Sequence, residues 1–275
     1  MTIADFKEYS GSFYCMNIPQ ITGVCYFASD FHLGVVGKVS SQEREKLLIS
    51  WLSSIAPDVQ HLFLLGDIFD FWFEYKDVIP RGHYAFFAKL QQLSQQGVQI
   101  YYFTGNHDMW VKKWLAEEIG MTIYRKEQLF HINGRLFLIG HGDGLDPKDK
   151  GYLLIKRIFA FRPNIALYGS LPPRWAFAFA RYCSHSSRVS NMENVEMKEQ
   201  LSNSMIAFAK KYAAQNEVDY IVFGHLHCPQ KNQITDRTIY YNTGDWLHHN
   251  SFLRCTPDHV ELCTWSSDEG STPIV

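Results

Sequence analysis

The stretch HLFLLGDIFD, His61 to Asp70, carries the reading from which the rest of the chain follows. Leu62, Phe63, Leu64 and Leu65 form a short apolar run without polar alternation, which reads as a strand buried on both faces. Gly66-Asp67 ends it abruptly. In a parallel sheet the C-terminal strand ends line the ligand crevice, so a carboxylate placed directly after a buried strand points to chemistry as well as to a turn. The same succession recurs along the chain. Residues 24–29 lead into Asp30 and His32, 99–104 into Gly105-Asn106-His107-Asp108, 136–139 into Gly140-His141, and 220–223 into Gly224-His225-Leu226-His227. Helical spacing fills 43–55 and 84–95, the latter stopping at Gly97, so the order strand, helix, strand, helix, strand predicts a parallel α/β sheet.

Taken singly, a D-x-H or a Gly-Asp is an ordinary turn. Their ordered recurrence after five apolar strands points instead to one common site. Asp30 with His32, and His225 with His227, each offer two ligands to one cavity, and the glycines before Asp67, Asn106, His141 and His225 allow tight backbone geometry. A mixed set of carboxylate, amide and imidazole groups favours Mn²⁺, Fe or Zn²⁺ over Ca²⁺, which prefers oxygen alone.

Across 275 residues, 46% hydrophobic and 20% charged, there is material for a sizeable core and too little charge for a disordered chain. The net charge of −2 gives no global pull toward nucleic acid or anionic lipid. Six cysteines form no C-x-x-C pair, which argues against a zinc module or a disulfide scaffold. No secretory pattern opens the sequence and no run of about 18 apolar residues crosses it, so a cytoplasmic, non-spanning protein is expected.

The pattern changes over 144–203. Up to Ser190 this segment holds eight Lys and Arg against two Asp, a charge of +6, which leaves −8 for the rest of a chain at −2. It is also rich in Phe, Tyr and Trp, and Pro172-Pro173 predicts a break between two helices. Helical spacing resumes over 195–215.

In order, D-x-H (Asp30, His32), G-D-x-x-D (Asp67, Asp70), G-N-H-D (Asn106, His107, Asp108), G-H (His141) and G-H-x-H (His225, His227) resemble the calcineurin-like metallophosphoesterase family, over most of the chain. The resemblance implies an α+β/α/β fold: a four-layer β-sandwich of two mixed sheets flanked by helices, built from 1–143 and 204–275. Residues 144–203 would form a helical insertion or cap within the same domain. It also implies two divalent ions, Mn²⁺ ahead of Fe or Zn²⁺. One would sit on Asp30, His32, Asp67 and His227, the other on Asp67, Asn106, His141 and His225, with Asp67 bridging. In this scheme His107 binds no metal and is catalytic, stabilising charge or protonating the leaving group. Asp108 would orient it, and Asp70 would support the ligands from behind.

Ser29 to Leu33 and Gly66 to Trp72 are similar to the branch that hydrolyses UDP-2,3-diacylglucosamine to lipid X and UMP in lipid A synthesis. That branch carries a helical insertion after the G-H motif which holds acyl chains. The resemblance therefore implies an acylated nucleotide-sugar substrate, with Arg157, Tyr168, Arg174, Trp175, Phe177, Phe179 and Arg181 as candidate contacts. A basic, aromatic insertion would also suit a peripheral position on the inner membrane. The sequence departs from well-known members of the branch in having His107 where they have Arg. A nucleotide phosphodiesterase or nuclease of the same superfamily, and a non-catalytic metal-binding scaffold, remain as alternatives; the oligomeric state is not legible.

Overall fold

The structure is a computed structural model that describes residues 18–35, 39–146, 149–180 and 195–274. The strands expected from apolar runs appear as β2 (Cys25–Ala28), β3 (His61–Leu65), β4 (Gln99–Phe103), β7 (Arg135–Ile139) and β8 (Tyr220–Phe223). Two helices follow the expected spacing: α1 (Ser41–Ile55) and α2 (Tyr84–Gln95). Helix α1 starts at a capping box, in which the Ser40 side chain accepts from the Glu43 amide while the Glu43 side chain reaches back to the Ser40 amide.

Strands β2, β3, β4 and β5 (Thr122–Tyr124) are parallel neighbours. They are extended on the β2 side by antiparallel β11 (Ser251–Cys255), β12 (Val260–Ser266) and β13 (Gly270–Pro273), giving a seven-stranded sheet. A second, six-stranded sheet runs β1 (Gln20–Ile21), β6 (Gln128–Ile132), β7, β8, β10 (Ile239–Thr243), β9 (Pro229–Gln233). The parallel half expected from the sequence is therefore only part of each sheet. Edge strands β9 and β13 are largely solvent-facing and carry no apolar run, so they leave no hydrophobic signal.

Alternation within β3 shows why its sequence is apolar throughout. Phe63 and Leu65 face the other sheet, where they join Phe27, Phe103, Phe137, Ile139 and Val222 in the central core. Leu62 and Leu64 face outward, under Leu48, Trp51 and Leu52 of α1 and Phe86 and Leu90 of α2. The six-stranded sheet is covered in turn by α6 (Val195–Ala213), whose Met205, Ala209 and Tyr212 pack on Ile221 and Phe223. Helix, sheet, sheet and helix make four layers, a β-sandwich flanked by helices.

The insertion contains α3 (Lys150–Ala160), α4 (Arg162–Ser170) and a helical stretch α5 over 173–180. Pro172-Pro173 does separate two helices, but a further break falls at Phe161, which is extended. Pro163 explains it: Pro lacks an amide and its ring clashes with the preceding turn, so it is accommodated only in the first turn of a new helix. Helix α6 runs continuously across residue 203. Among the described residues, no helix is long and apolar enough to cross a membrane.

Candidate metal centre

The ends of six strands, three from each sheet, converge on one basin. Asp30 and His32 follow β2, Asp67 follows β3, and Asn106 and His107 follow β4. From the other sheet come His141 after β7, His225 and His227 after β8, and Asp245 after β10. The loops are knitted by main-chain hydrogen bonds: Asp30 N to Gly66 O at 3.0 Å, His32 N to Asp67 O at 2.9 Å, and Gly224 N to His141 O at 3.0 Å. Such close approach requires glycine at 105, where a Cβ would overlap the Asp67 carboxylate and amide.

The backbone marks the same residues. Eight described non-glycine residues have φ in the left-handed region, and five of them are Asp30 (+56°), His32 (+44°), Asp67 (+52°), His225 (+71°) and His227 (+54°). Each such conformation costs on the order of 1–3 kcal/mol and persists only where surrounding contacts enforce it, so strain is concentrated on the converging side chains.

Among the described residues three groups of donor atoms form, each within 4.8 Å: Asp30, His32, Asp67 and His227 in one, Asp67, His141 and His225 in the next, and His32, Asp70 and His107 in a third. Asp67 joins the first two. Its Oδ2 lies 3.9 Å from His32 Nε2 and 3.5 Å from His141 Nε2, while Oδ1 accepts from the His107 amide at 2.8 Å. Asn106 Oδ1 stands 3.2 Å from His141 Nε2, at the edge of the second group. Asp30 Oδ2 accepts from Ser29 and from the His225 amide, whereas Asp30 Oδ1 is buried with no hydrogen-bond partner and faces His227 Nε2 at 3.3 Å. An unpartnered buried carboxylate oxygen among imidazole nitrogens, with His32 Nε2 only 3.3 Å from His227 Nε2, fits a cation between them.

Electrostatics divide the four imidazoles: burial lowers His32 and His225, whereas neighbouring carboxylates outweigh burial and raise His141 and His227. Burial pushes His32 down to about 3, against the pull of Asp30, and burial together with the neighbouring His141 pushes His225 down to about 4. Both rings are thus neutral donors of a lone pair. Burial works against charge at Asp67 as well, but the imidazoles of His141 and His107 hold its carboxyl well below the usual range. His141 is lifted to about 10 because the Asp67 carboxylate outweighs burial. Its Nδ1 meets Leu65 O at 2.7 Å, which leaves Nε2 toward Asp67 and Asn106.

His107 lies beside the first two donor groups, its ring perpendicular to that of His32 with centroids 4.8 Å apart. The sequence expectation gives its orientation to Asp108. The structure gives that contact to Asp70, whose main-chain oxygen is 2.9 Å from His107 Nδ1 and whose Oδ1 is 3.7 Å away. Asp70 Oδ1 also stands 3.9 Å from His32 Nδ1. Asp108 is fully buried and binds the amides of Gly105 and Ile68 and the Tyr102 hydroxyl, so it braces the loop that presents Asn106 and His107. Burial, then the charge of Asp67, raise its pKa to about 6.

Two supporting residues escape the motif reading. Asp245 sets one oxygen 3.4 Å from His227 Nδ1 and the other 3.0 Å from His249 Nδ1, and these imidazoles hold its carboxyl well below the usual range despite burial. Gly244-Asp245 after β10 repeats the strand-then-carboxylate pattern, but β10 ends in Asn242-Thr243 and so lacks the apolar run. Arg44 is buried on the apolar face of α1 and donates to His32 O at 2.9 Å. A cation four residues before Leu48 on an apolar stripe is the signal that finds it.

The candidate contacts of the insertion separate into two kinds. Tyr168 and Phe177 pack on the body: Phe177 is 5.6 Å from Phe71, and Tyr168 is 5.0 Å from Phe73 and 5.2 Å from Trp110. Trp175 and Phe179 are 70% and 56% exposed, and Arg157 and Arg174 are exposed too. Arg181 lies outside the described residues.

Among known proteins, the sequence profile of the calcineurin-like phosphoesterases matches residues 25–229. A UDP-2,3-diacylglucosamine hydrolase of Porphyromonas gingivalis is 33% identical, over 82% of this chain and 92% of that protein. Proteins of the same name from Aeromonas salmonicida (30% identical, 86% of this chain and 91% of that one) and Neisseria gonorrhoeae (29%, 82% and 90%) are also similar.

Proposed function

The chain belongs to the calcineurin-like phosphoesterase family and is a metal-dependent hydrolase, and from that premise we propose that it cleaves the diphosphate of UDP-2,3-diacylglucosamine, giving UMP and lipid X in lipid A synthesis. The observation that carries the chemistry is the pair of donor groups sharing Asp67. The relatives' common name supports the substrate. Asp30, His32, Asp67 and His227 would hold one divalent ion and Asp67, Asn106, His141 and His225 the other, with Mn²⁺ suited to this mixed set. Two ions at such a site supply an activated water and neutralise the phosphoryl oxygens.

The residues of the chain do the rest. Asp245 and Leu65 O fix the ring orientations of His227 and His141. His107, held through Nδ1 by Asp70, presents Nε2 to the phosphoryl group or the departing oxygen, where it stabilises charge or delivers a proton as the P–O bond breaks. Residues 144–203 act as a cap, with the exposed Trp175 and Phe179 taking the acyl chains and the exposed Arg157 and Arg174 available to anionic groups. An apolar, basic surface of this kind also suits a peripheral position on an anionic membrane.

The test compares the Mn²⁺-loaded enzyme on UDP-2,3-diacylglucosamine in mixed micelles, on an unacylated UDP-sugar, and on bis(p-nitrophenyl) phosphate. Each buried methylene adds about 0.8 kcal/mol, so a few carbons per tail in contact should dominate affinity. UMP and lipid X should appear from the acylated substrate with the highest kcat/KM. Equal rates with and without acyl chains would overturn the substrate, and faster cleavage of single-stranded oligonucleotides would favour a nuclease.

A further inference from the structure

Asp143 lies two residues beyond His141, and both side chains that bind its carboxylate come from the cap. Its Oδ2 accepts from the Tyr152 hydroxyl and from the Lys156 ammonium, both at 2.6 Å, and Lys156 also donates to the Asp143 main-chain oxygen at 3.0 Å. The carboxylate is buried, while the lysine stem reaches it from the surface. Tyr152 and Lys156 are four residues apart on α3 and so share one helix face. The start of that helix is fixed by Asp149, whose side chain accepts from the Tyr152 amide at 2.9 Å. Gly144, at φ +74°, lets the helix come close: a Cβ there would already touch Tyr152, Leu153 and Lys156 at 3.4 Å.

Polar attachment matters at this near end because no residue of α3 is buried there. Neither α3 nor α4 buries a residue; the far end of α3 meets the body at Phe159, whose ring lies 5.8 Å from that of Trp110 and whose main-chain oxygen accepts from Trp110 Nε1 at 3.0 Å, and further aromatic contacts follow at Tyr168 in α4 and at Phe177. We infer that Lys156, with Tyr152, is a positioning residue that clamps the near end of the cap to the His141 loop through Asp143. The clamp sets where the apolar surface of the cap stands above the metal centre. Because the same loop is bonded to Gly224 beside His225, the cap is referenced to two neighbouring strand ends of the six-stranded sheet. The inference rests on the reading of residues 144–203 as a substrate cap.

Lys156→Met in the full-length, Mn²⁺-loaded protein keeps the stem and removes the ammonium. Amide hydrogen exchange over 150–160 should accelerate, and KM for UDP-2,3-diacylglucosamine should rise by about 10–100-fold, the scale of a lost charge-assisted hydrogen bond. In the same variant kcat should stay within about threefold, bis(p-nitrophenyl) phosphate kinetics should not change, and two Mn²⁺ per chain should remain; Lys156→Arg should restore most of KM. Unchanged exchange over 150–160 would overturn the clamp. Equal loss on both substrates with loss of Mn²⁺ would overturn it too, by placing the action of Lys156 on the ligand loop. If the wild-type enzyme ignores the acylated substrate, the proposed function falls, and the exchange measurement still decides the clamp.

Discussion

The metal basin and the cap are held in place by opposite means. In the basin, Asp30, His32, Asp67 and His141 are buried, main-chain bonds join neighbouring loops, and five of the converging residues hold left-handed conformations. In the cap, α3 and α4 bury nothing, and large apolar side chains such as Leu154, Phe161, Leu167 and Trp175 lie exposed. The sheets hold the candidate metal ligands, while the insertion meets the body through the Asp143–Tyr152–Lys156 contacts and through docked aromatic rings at Phe159, Tyr168 and Phe177. Segments with few buried apolar contacts open at lower free energy than a core, so the insertion is expected to exchange its amides faster than the sheets.

Asp67→Ala tests the basin most severely. As the residue common to the first two donor groups, its loss should empty both metal positions and lower activity by more than about 10³-fold. Two ions per chain by elemental analysis of this variant would break the bridging role. Next is His107→Ala, expected to lower kcat by about 10²–10⁴-fold with metal content intact; loss of metal would make His107 a ligand. Asp245→Asn sharpens the picture of support behind the ligands. Weakening the hold on His227 should lower affinity at one metal position by about 10–100-fold and leave the other unchanged, read by titration against a chelator.

The smallest effect on the fold falls in the cap. Trp175→Asp with Phe179→Asp should change stability by less than about 0.5 kcal/mol per site, because both side chains are exposed. The same change should abolish the preference for acylated substrate and spare bis(p-nitrophenyl) phosphate. Phe177→Asp is a different experiment: it places a charge against Phe71 and Tyr75 and should undo the dock itself. A large drop in melting temperature for the Trp175 and Phe179 pair would show that these residues pack on the body.

By itself the sequence determined the five central strands, the two helices α1 and α2, and the order of the basin residues. It could do so because a strand buried on both faces needs a continuous apolar run, and in four of the five cases a glycine marks the turn that ends it. Those signals are local. Strands β9 and β13 escaped because an edge strand needs only a neighbour to pair with, which no short window records. The break at Phe161 was legible in Pro163, although the proline pair at 172–173 gave the stronger signal. Tertiary structure alone decided that Asp70, not Asp108, meets His107, since Asp108 is drawn into the Tyr102 hydroxyl and two loop amides. It alone decided that Asp245 stands behind His227, and that Tyr168 and Phe177 serve as a dock while Trp175 and Phe179 stay exposed. Residue type and spacing say which groups a strand end can offer; which neighbour each group meets depends on the approach of segments more than thirty residues away, and that is fixed only when both sheets close on their shared core.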